Sequence, residues 1–174
     1  MIRIRRFVPL ALLLALPLAG PAWGASAPQG SPQQVQTIKD IRNVGTAMFH
    51  WYKDQMAPRR SPEAHDSAEE AAETKSQTIA DIPVISADDL AKVLVPKYID
   101  AIPATDGWGK PYEFRLNTQD PNAPRVMALR SAGQDGQYSG DTYEVSEFPG
   151  QEQAQDIAWI DGYFVRWPAP PASR

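Results

Sequence analysis

The sequence predicts an α+β domain in which one long N-terminal helix packs on a small antiparallel β-sheet. Three observations predict it. Apolar residues recur at helical spacing from Val35 to Tyr52. The second half carries short apolar runs bounded by Gly, Pro and Asp. Two of those runs, Ile157-Ala158-Trp159-Ile160 and Tyr163-Phe164-Val165-Arg166-Trp167, flank Asp161-Gly162, a pair suited to the positive φ angles of a two-residue hairpin turn. The chain has 174 residues, 43% hydrophobic and 22% charged, enough for one domain with its own core. It has no cysteine. That excludes a disulfide scaffold, a thiolate metal site, a cysteine nucleophile and an acylated cysteine. A net charge of -4 does not suit a nucleic-acid groove.

In chain order, Arg3, Arg5 and Arg6 precede the apolar run from Val8 to Ala19, which Pro9 and Pro17 interrupt. The run is too short for a membrane span, and Ala22-Trp23-Gly24 places small residues at −3 and −1. Residues 1–24 therefore read as a signal peptide for the general secretory route, cut before Ala25. Arg5-Arg6 lacks the rest of a twin-arginine motif. Cleavage would remove three of the 17 basic residues and none of the 21 acids, leaving a net charge of about -7. The expected location is periplasmic or extracellular, with no membrane span in the mature chain.

Residues 25–31 read as a flexible tail. Ser31-Pro32-Gln33-Gln34 supplies an N-cap, a proline at the first helical position and a capping-box Gln, so the helix is expected over about Pro32 to Lys53. A polar loop is expected at 58–78, where large apolar residues are nearly absent. Ile82-Pro83-Val84-Ile85 reads as extended. Ser86 caps a short helix with the stripe Leu90, Val93 and Leu94, stopped by Pro96. Asp106-Gly107 and Gly109 form a tight turn, with Trp108 as its apolar plug. Strands are expected at Tyr112 to Leu116 and Arg125 to Ser131, then a long polar loop from Gln134 to Gln155. The α+β domain spans 32–168, with a C-terminal tail at 169–174.

Three blocks occur in order: Ile38-Lys39-Asp40-Ile41-Arg42-Asn43-Val44-Gly45-Thr46-Ala47-Met48; Leu94-Val95-Pro96-Lys97-Tyr98-Ile99, running on to Ile102-Pro103-Ala104-Thr105-Asp106-Gly107-Trp108-Gly109-Lys110-Pro111-Tyr112; and Arg130-Ser131-Ala132-Gly133-Gln134-Asp135-Gly136, with Asp156-Ile157 later. Together they resemble the head domain of the major pseudopilin of type II secretion systems, the G-type subunit. The resemblance spans most of residues 37–167. It implies that a calcium ion orders the loop after Ser131. On this reading Asp135 and Asp156 match the motif acids, and the backbone carbonyls of Arg130 and Ser131 contribute. Asp141 and Glu144 lie between the two acids, and such a set of hard oxygens suits Ca²⁺. A Gly/Asp turn without an ion is the alternative. The stretch from Asp135 to Asp156 is longer than the family's usual loop. The chain also departs from the family in lacking the prepilin leader and the roughly 20-residue apolar stem.

Nucleophile-elbow, phosphate-loop and EF-hand patterns are absent. His50 lies on the long helix and His65 in the acidic loop; neither has a zinc-site neighbourhood. The expectation is an exported, non-enzymatic protein-interaction factor, working with type II secretion components or with itself. Two alternatives stand beside it. One is a secreted carbohydrate-binding module or small hydrolase, with Trp108, Trp159 and Trp167 as a stacking surface. The other is a true pseudopilus subunit whose stem is the N-terminal apolar run.

Overall fold

The computed structural model describes residues 30–56 and 76–169. The expected signal peptide, most of the tail at 25–31, most of the polar loop at 58–78 and residues 170–174 lie outside the described residues.

The first helix, α1, runs Pro32–Met56, three residues beyond Lys53. Its start is a reciprocal capping box. The Gln34 amide donates to Ser31 Oγ at 3.2 Å, and the Ser31 amide donates to Gln34 Oε1 at 2.8 Å. Ser31 thus belongs to the helix start rather than to the tail. The face formed by Ile41, Val44, Ala47, Met48 and Trp51 is buried. The second helix, α2, is Ala87–Leu94, with Ser86 as N-cap accepting from the Asp89 amide. Leu90 and Leu94 anchor it in the same core.

Among the described residues eight strands occur in chain order: β1 Ser76–Thr78, β2 Val84–Ile85, β3 Glu113–Leu116, β4 Met127–Ser131, β5 Thr142–Glu144, β6 Ser146–Phe148, β7 Ile157–Ile160 and β8 Tyr163–Pro168. Six form one sheet in the order β2-β3-β4-β7-β8-β6, while β1 and β5 pair as a separate two-stranded sheet. The α+β class stands, with three corrections to the detail. The main sheet is mixed, because β6 runs parallel to β8. The stretch 134–155 is not all loop, since it contains β5 and β6. The last three residues of the expected loop at 58–78 form β1, with Gln77 buried. These strands are only three residues long, each with one large buried side chain at most, so no periodicity betrays them.

The sheet also buries both faces. Alternate residues divide between two clusters. Met127, Leu129, Ile157 and Trp159 join the helices on one side. Ala128, Ala158, Ile160 and Val165 meet Ile79, Ile82 and Tyr143 on the other. The segment Ser76–Ile82 and strand β5 therefore cover the second face like a strap. This explains why every residue of β4 and β7 is buried, and why Ile157 to Ile160 reads as a continuous apolar run.

Close packing of α1 depends on Gly45. A Cβ there would stand 2.8 Å from Cε2 of the Trp159 indole, itself 5% exposed. At the far end of β7, Asp161 (φ 44°) and Gly162 (φ 116°) make the expected hairpin turn. The Asp161 carboxylate accepts from the Val126 and Met127 amides at 3.1 and 3.0 Å, which ties the hairpin to the start of β4. The Asp106 turn forms as expected, its carbonyl accepting from the Gly109 amide, and the Gly107 amide donates to Thr37 Oγ1 of α1 at 3.0 Å.

Gly45→Val should lower stability by about 1–3 kcal/mol through overpacking against the buried indole. Urea denaturation monitored by circular dichroism checks this, and an unchanged midpoint would contradict the packing described.

A candidate cation-ordered loop

The residues from Ala132 to Gln155 leave the end of β4 and return to the start of β7. Their two ends are tied together at Gly133, whose φ is 64° and whose missing Cβ would lie 2.7 Å from the carbonyl oxygens of both Gln153 and Gln155. The next amide, Gln134, donates to the Gln153 carbonyl at 2.8 Å. A side chain here would demand both a strained backbone and a displaced neighbour.

Register then sets the charges. Glu113 of β3 sits opposite Arg130 of β4. Glu113, Arg115 and Arg130 share parity with the residues facing the strap, so their side chains meet on the sheet's second face. Arg130 Nη2 lies 2.9 Å from Glu113 Oε1 and 3.0 Å from Asp141 Oδ1. Its Nη1 donates to the Gly140 carbonyl at 2.6 Å and to the Tyr143 hydroxyl at 2.8 Å. The Tyr138 ring stacks on the guanidinium, 3.9 Å away. Arg115 Nε reaches Glu113 Oε1 at 2.6 Å, and its Nη1 donates to the Ile79 and Ile82 carbonyls at 2.9 and 3.1 Å. Burial pulls the Arg130 guanidinium down; its hydrogen bonds to Glu113 and Tyr143 and the Glu113 charge outweigh that and keep it protonated. Burial pushes the Tyr138 phenol up to about 12.

Asp156 lies beneath this network, 1% exposed. Its Oδ2 accepts from the Tyr143 hydroxyl at 2.8 Å and the Ser139 amide at 3.0 Å. Its Oδ1 is buried and has no hydrogen-bond partner among the described residues. Burial raises the carboxyl above its usual range; the Ser139 and Tyr143 hydrogen bonds and Arg130 oppose the rise, and the nearby Asp135 charge adds to it.

The six residues named around an ion do not gather at one point; Glu144 is exposed on β5, opposite Ser76. Asp156 and Asp135 come within electrostatic reach of each other; Asp135 is exposed and its Oδ1 accepts from the Gln137 amide at 3.0 Å. Asp141 is instead engaged by two guanidinium groups, at 3.0 Å from Arg130 and 3.4 Å from Arg115. Ser131 Oγ donates to Asp106 Oδ2 at 2.6 Å and accepts from the Gly133 amide at 3.1 Å, so it joins the loop to the Asp106 turn. Arg130 lies in a strand paired on both sides, opposite Glu113 and Ala158. The donor set fits a hard cation in part, with two carboxylates, one carrying an orphaned oxygen. Among the described residues no group of three or more His, Asp or Glu side chains is gathered in a metal-holding arrangement.

Sequence reasoning passed over Glu113, Arg115, Tyr143 and Asp106. Glu113 and Arg130 become partners only through strand register, which no local motif records. Asp106 was visible as a turn residue, but its side chain also accepts from the Trp108 and Lys110 amides at 3.0 and 2.9 Å. Of the three indoles considered as a stacking surface, only Trp159 is buried, and Trp167 is half-buried. Trp159 is buried under α1, Trp108 is half-buried, and among the described residues the close aromatic pairs involve no tryptophan.

The raised pKa of Asp156 gives a signed expectation. Its contribution to stability is complete below the unfolded carboxyl pKa and is lost as pH rises through the higher folded value. In chelator, Asp156→Asn should therefore gain stability relative to the parent between pH 4 and pH 7, by urea denaturation at both. A difference that does not change with pH would contradict the buried, orphaned carboxylate. No family model matches the chain, and neither a curated protein nor a solved structure is detectably similar to it.

Proposed function

We propose that this chain is an exported, non-enzymatic pseudopilin-like domain that works by protein–protein contact within or beside a type II secretion machine, with a polar loop that takes calcium. The supporting observation is Asp156: a buried carboxylate with an orphaned oxygen, beside the Asp135 charge, at the return of the loop into β7. A buried carboxylate with one oxygen left unpartnered is costly, and a cation relieves that cost. Asp156 and Asp135 are the side chains that would hold the ion. When bound, calcium supplies charge neutralisation and further oxygen coordination, which order the loop. A long helix across a sheet is compatible with the head-domain resemblance. No helix among the described residues is long and apolar enough to cross a membrane.

The calcium part is tested by melting. Millimolar calcium should raise the melting temperature of the full chain relative to chelator, and Asp135→Ala and Asp156→Ala should each abolish the rise. No response in the parent protein would remove calcium from the account. Affinity capture from the native envelope tests the partner assignment; recovery of secretion components supports it, and their absence with and without chelator counts against it.

A further inference from the structure

One face of α1 differs in charge from the rest of this acidic chain. Val35, Lys39, Arg42, Thr46, Phe49 and Lys53 follow one another at spacings of three and four residues, so they form a stripe about 27 Å long. All six are exposed. The stripe carries three cations and no acid. The two acids of α1 lie elsewhere and are occupied: Asp54 pairs with Lys97 at 2.7 Å, and Asp40 accepts from Gln36 and from the Tyr112 hydroxyl. None of the three cations has an ion-pair partner among the described residues. Val35 and Phe49, 40% and 39% exposed, are two of the four large apolar side chains that the described residues leave exposed.

The stripe also borders a recess. A space of about 220 Å³ opens between α1 and the β7–β8 hairpin, walled by Phe49, Trp159 and Phe164 and left open where Gly162 has no side chain. Arg42 stands at its rim, its guanidinium 6.0 Å from the Phe164 ring centre, and Lys53 lies 6.0 Å from the Phe49 ring centre. The volume is of the order of one large side chain.

We propose that this stripe and recess are a docking surface for an acidic polypeptide segment that inserts one large apolar side chain between carboxylates. Charge complementarity selects the acidic partner: three cations in a row, none ion-paired among the described residues, steer and hold carboxylates. The concave aromatic recess selects a polypeptide over an anionic lipid surface, because a bilayer binds apolar groups that protrude, whereas here the rings line a hollow. The inference rests on the protein-contact reading and names the chemistry of the partner. It is independent of calcium, so loss of the calcium response and loss of this docking are separate results.

The test uses the full chain and the probe peptide acetyl-Glu-Glu-Phe-Glu-Glu-amide, with amide shifts of Thr46 and Gly162 followed by NMR. Saturable shifts at both positions are expected. Affinity should fall about tenfold or more in Arg42→Glu, in Thr46→Trp, which plugs the recess, and for the probe with Ala in place of Phe. Salt should weaken binding. Both substitutions are at exposed positions, and an unchanged melting curve confirms that the fold survives. Absence of shifts overturns the proposal, as does equal affinity for the Ala probe. If free 3-phenylpropionate binds as tightly as the peptide, the site is one for small aromatic acids and the polypeptide assignment fails. If phosphatidylglycerol vesicles bind with the same dependence on Arg42 while the peptide does not, the partner is a membrane surface and the proposal fails.

Discussion

Arg130, Arg115 and Glu113 bring charge to the sheet face that also carries Ala128, Ala158 and Ile160, and the placement of the chain's polar half follows from how that charge is met. Arg130 is almost wholly buried, and its guanidinium must find acceptors there. Glu113 comes from the neighbouring strand, while Asp141, Gly140 and Tyr143 come from the loop. Arg115 shares Glu113 and holds the strap through the Ile79 and Ile82 carbonyls. The strap then pairs with the loop as β1 on β5, and Thr78 Oγ1 and the Ile79 amide both donate to the Asp141 carbonyl. Sheet, loop and strap thus share partners. Removing one member of a buried ionic set costs about 3–5 kcal/mol, because the remaining charges keep their desolvation penalty.

This arrangement divides the work of ordering the loop. Arg130 already engages Asp141 at the middle of the loop. What it leaves is Asp156 at the loop's return, together with exposed Asp135. The proposed cation belongs at that end, and Asp141 belongs to the arginines. The other face of the sheet is independent of this chemistry. There α1 is held by apolar packing and by the contact of Gly45 with Trp159, and its outer stripe of cations has no ion-pair partner among the described residues.

Much of the fold could be read from residues. The two helices, their Ser caps, the Asp161-Gly162 hairpin and the strands ending at Leu116 and Ser131 all carry local signals: periodicity, capping chemistry and turn preference. Strands β1, β5 and β6 carried none, since three residues hold no period and their surroundings are polar. The mixed character of the sheet was equally hidden, because the pairing of Phe148 with Pro168 joins segments that the hairpin pattern treats separately. At the site, the spacing of the loop acids drew attention to Asp135 and Asp156, but the burial of Asp156 shows only in the structure. The capture of Asp141 by arginine was not legible, since it depends on which residue faces which across β3 and β4. The charge stripe on α1 was present in the sequence as spacing, but only burial distinguishes it from the core stripe beside it.

Native-state hydrogen exchange on Arg130→Met tests the central claim most directly. The side chain keeps its length and apolar stem but loses every donor that Arg130 offers to the loop. The account predicts that the amides of β1 and β5 lose protection together, well below the threshold for global unfolding, while α1 and β7 keep theirs. Unchanged protection in β1 and β5, or loss only when the whole domain unfolds, would contradict it.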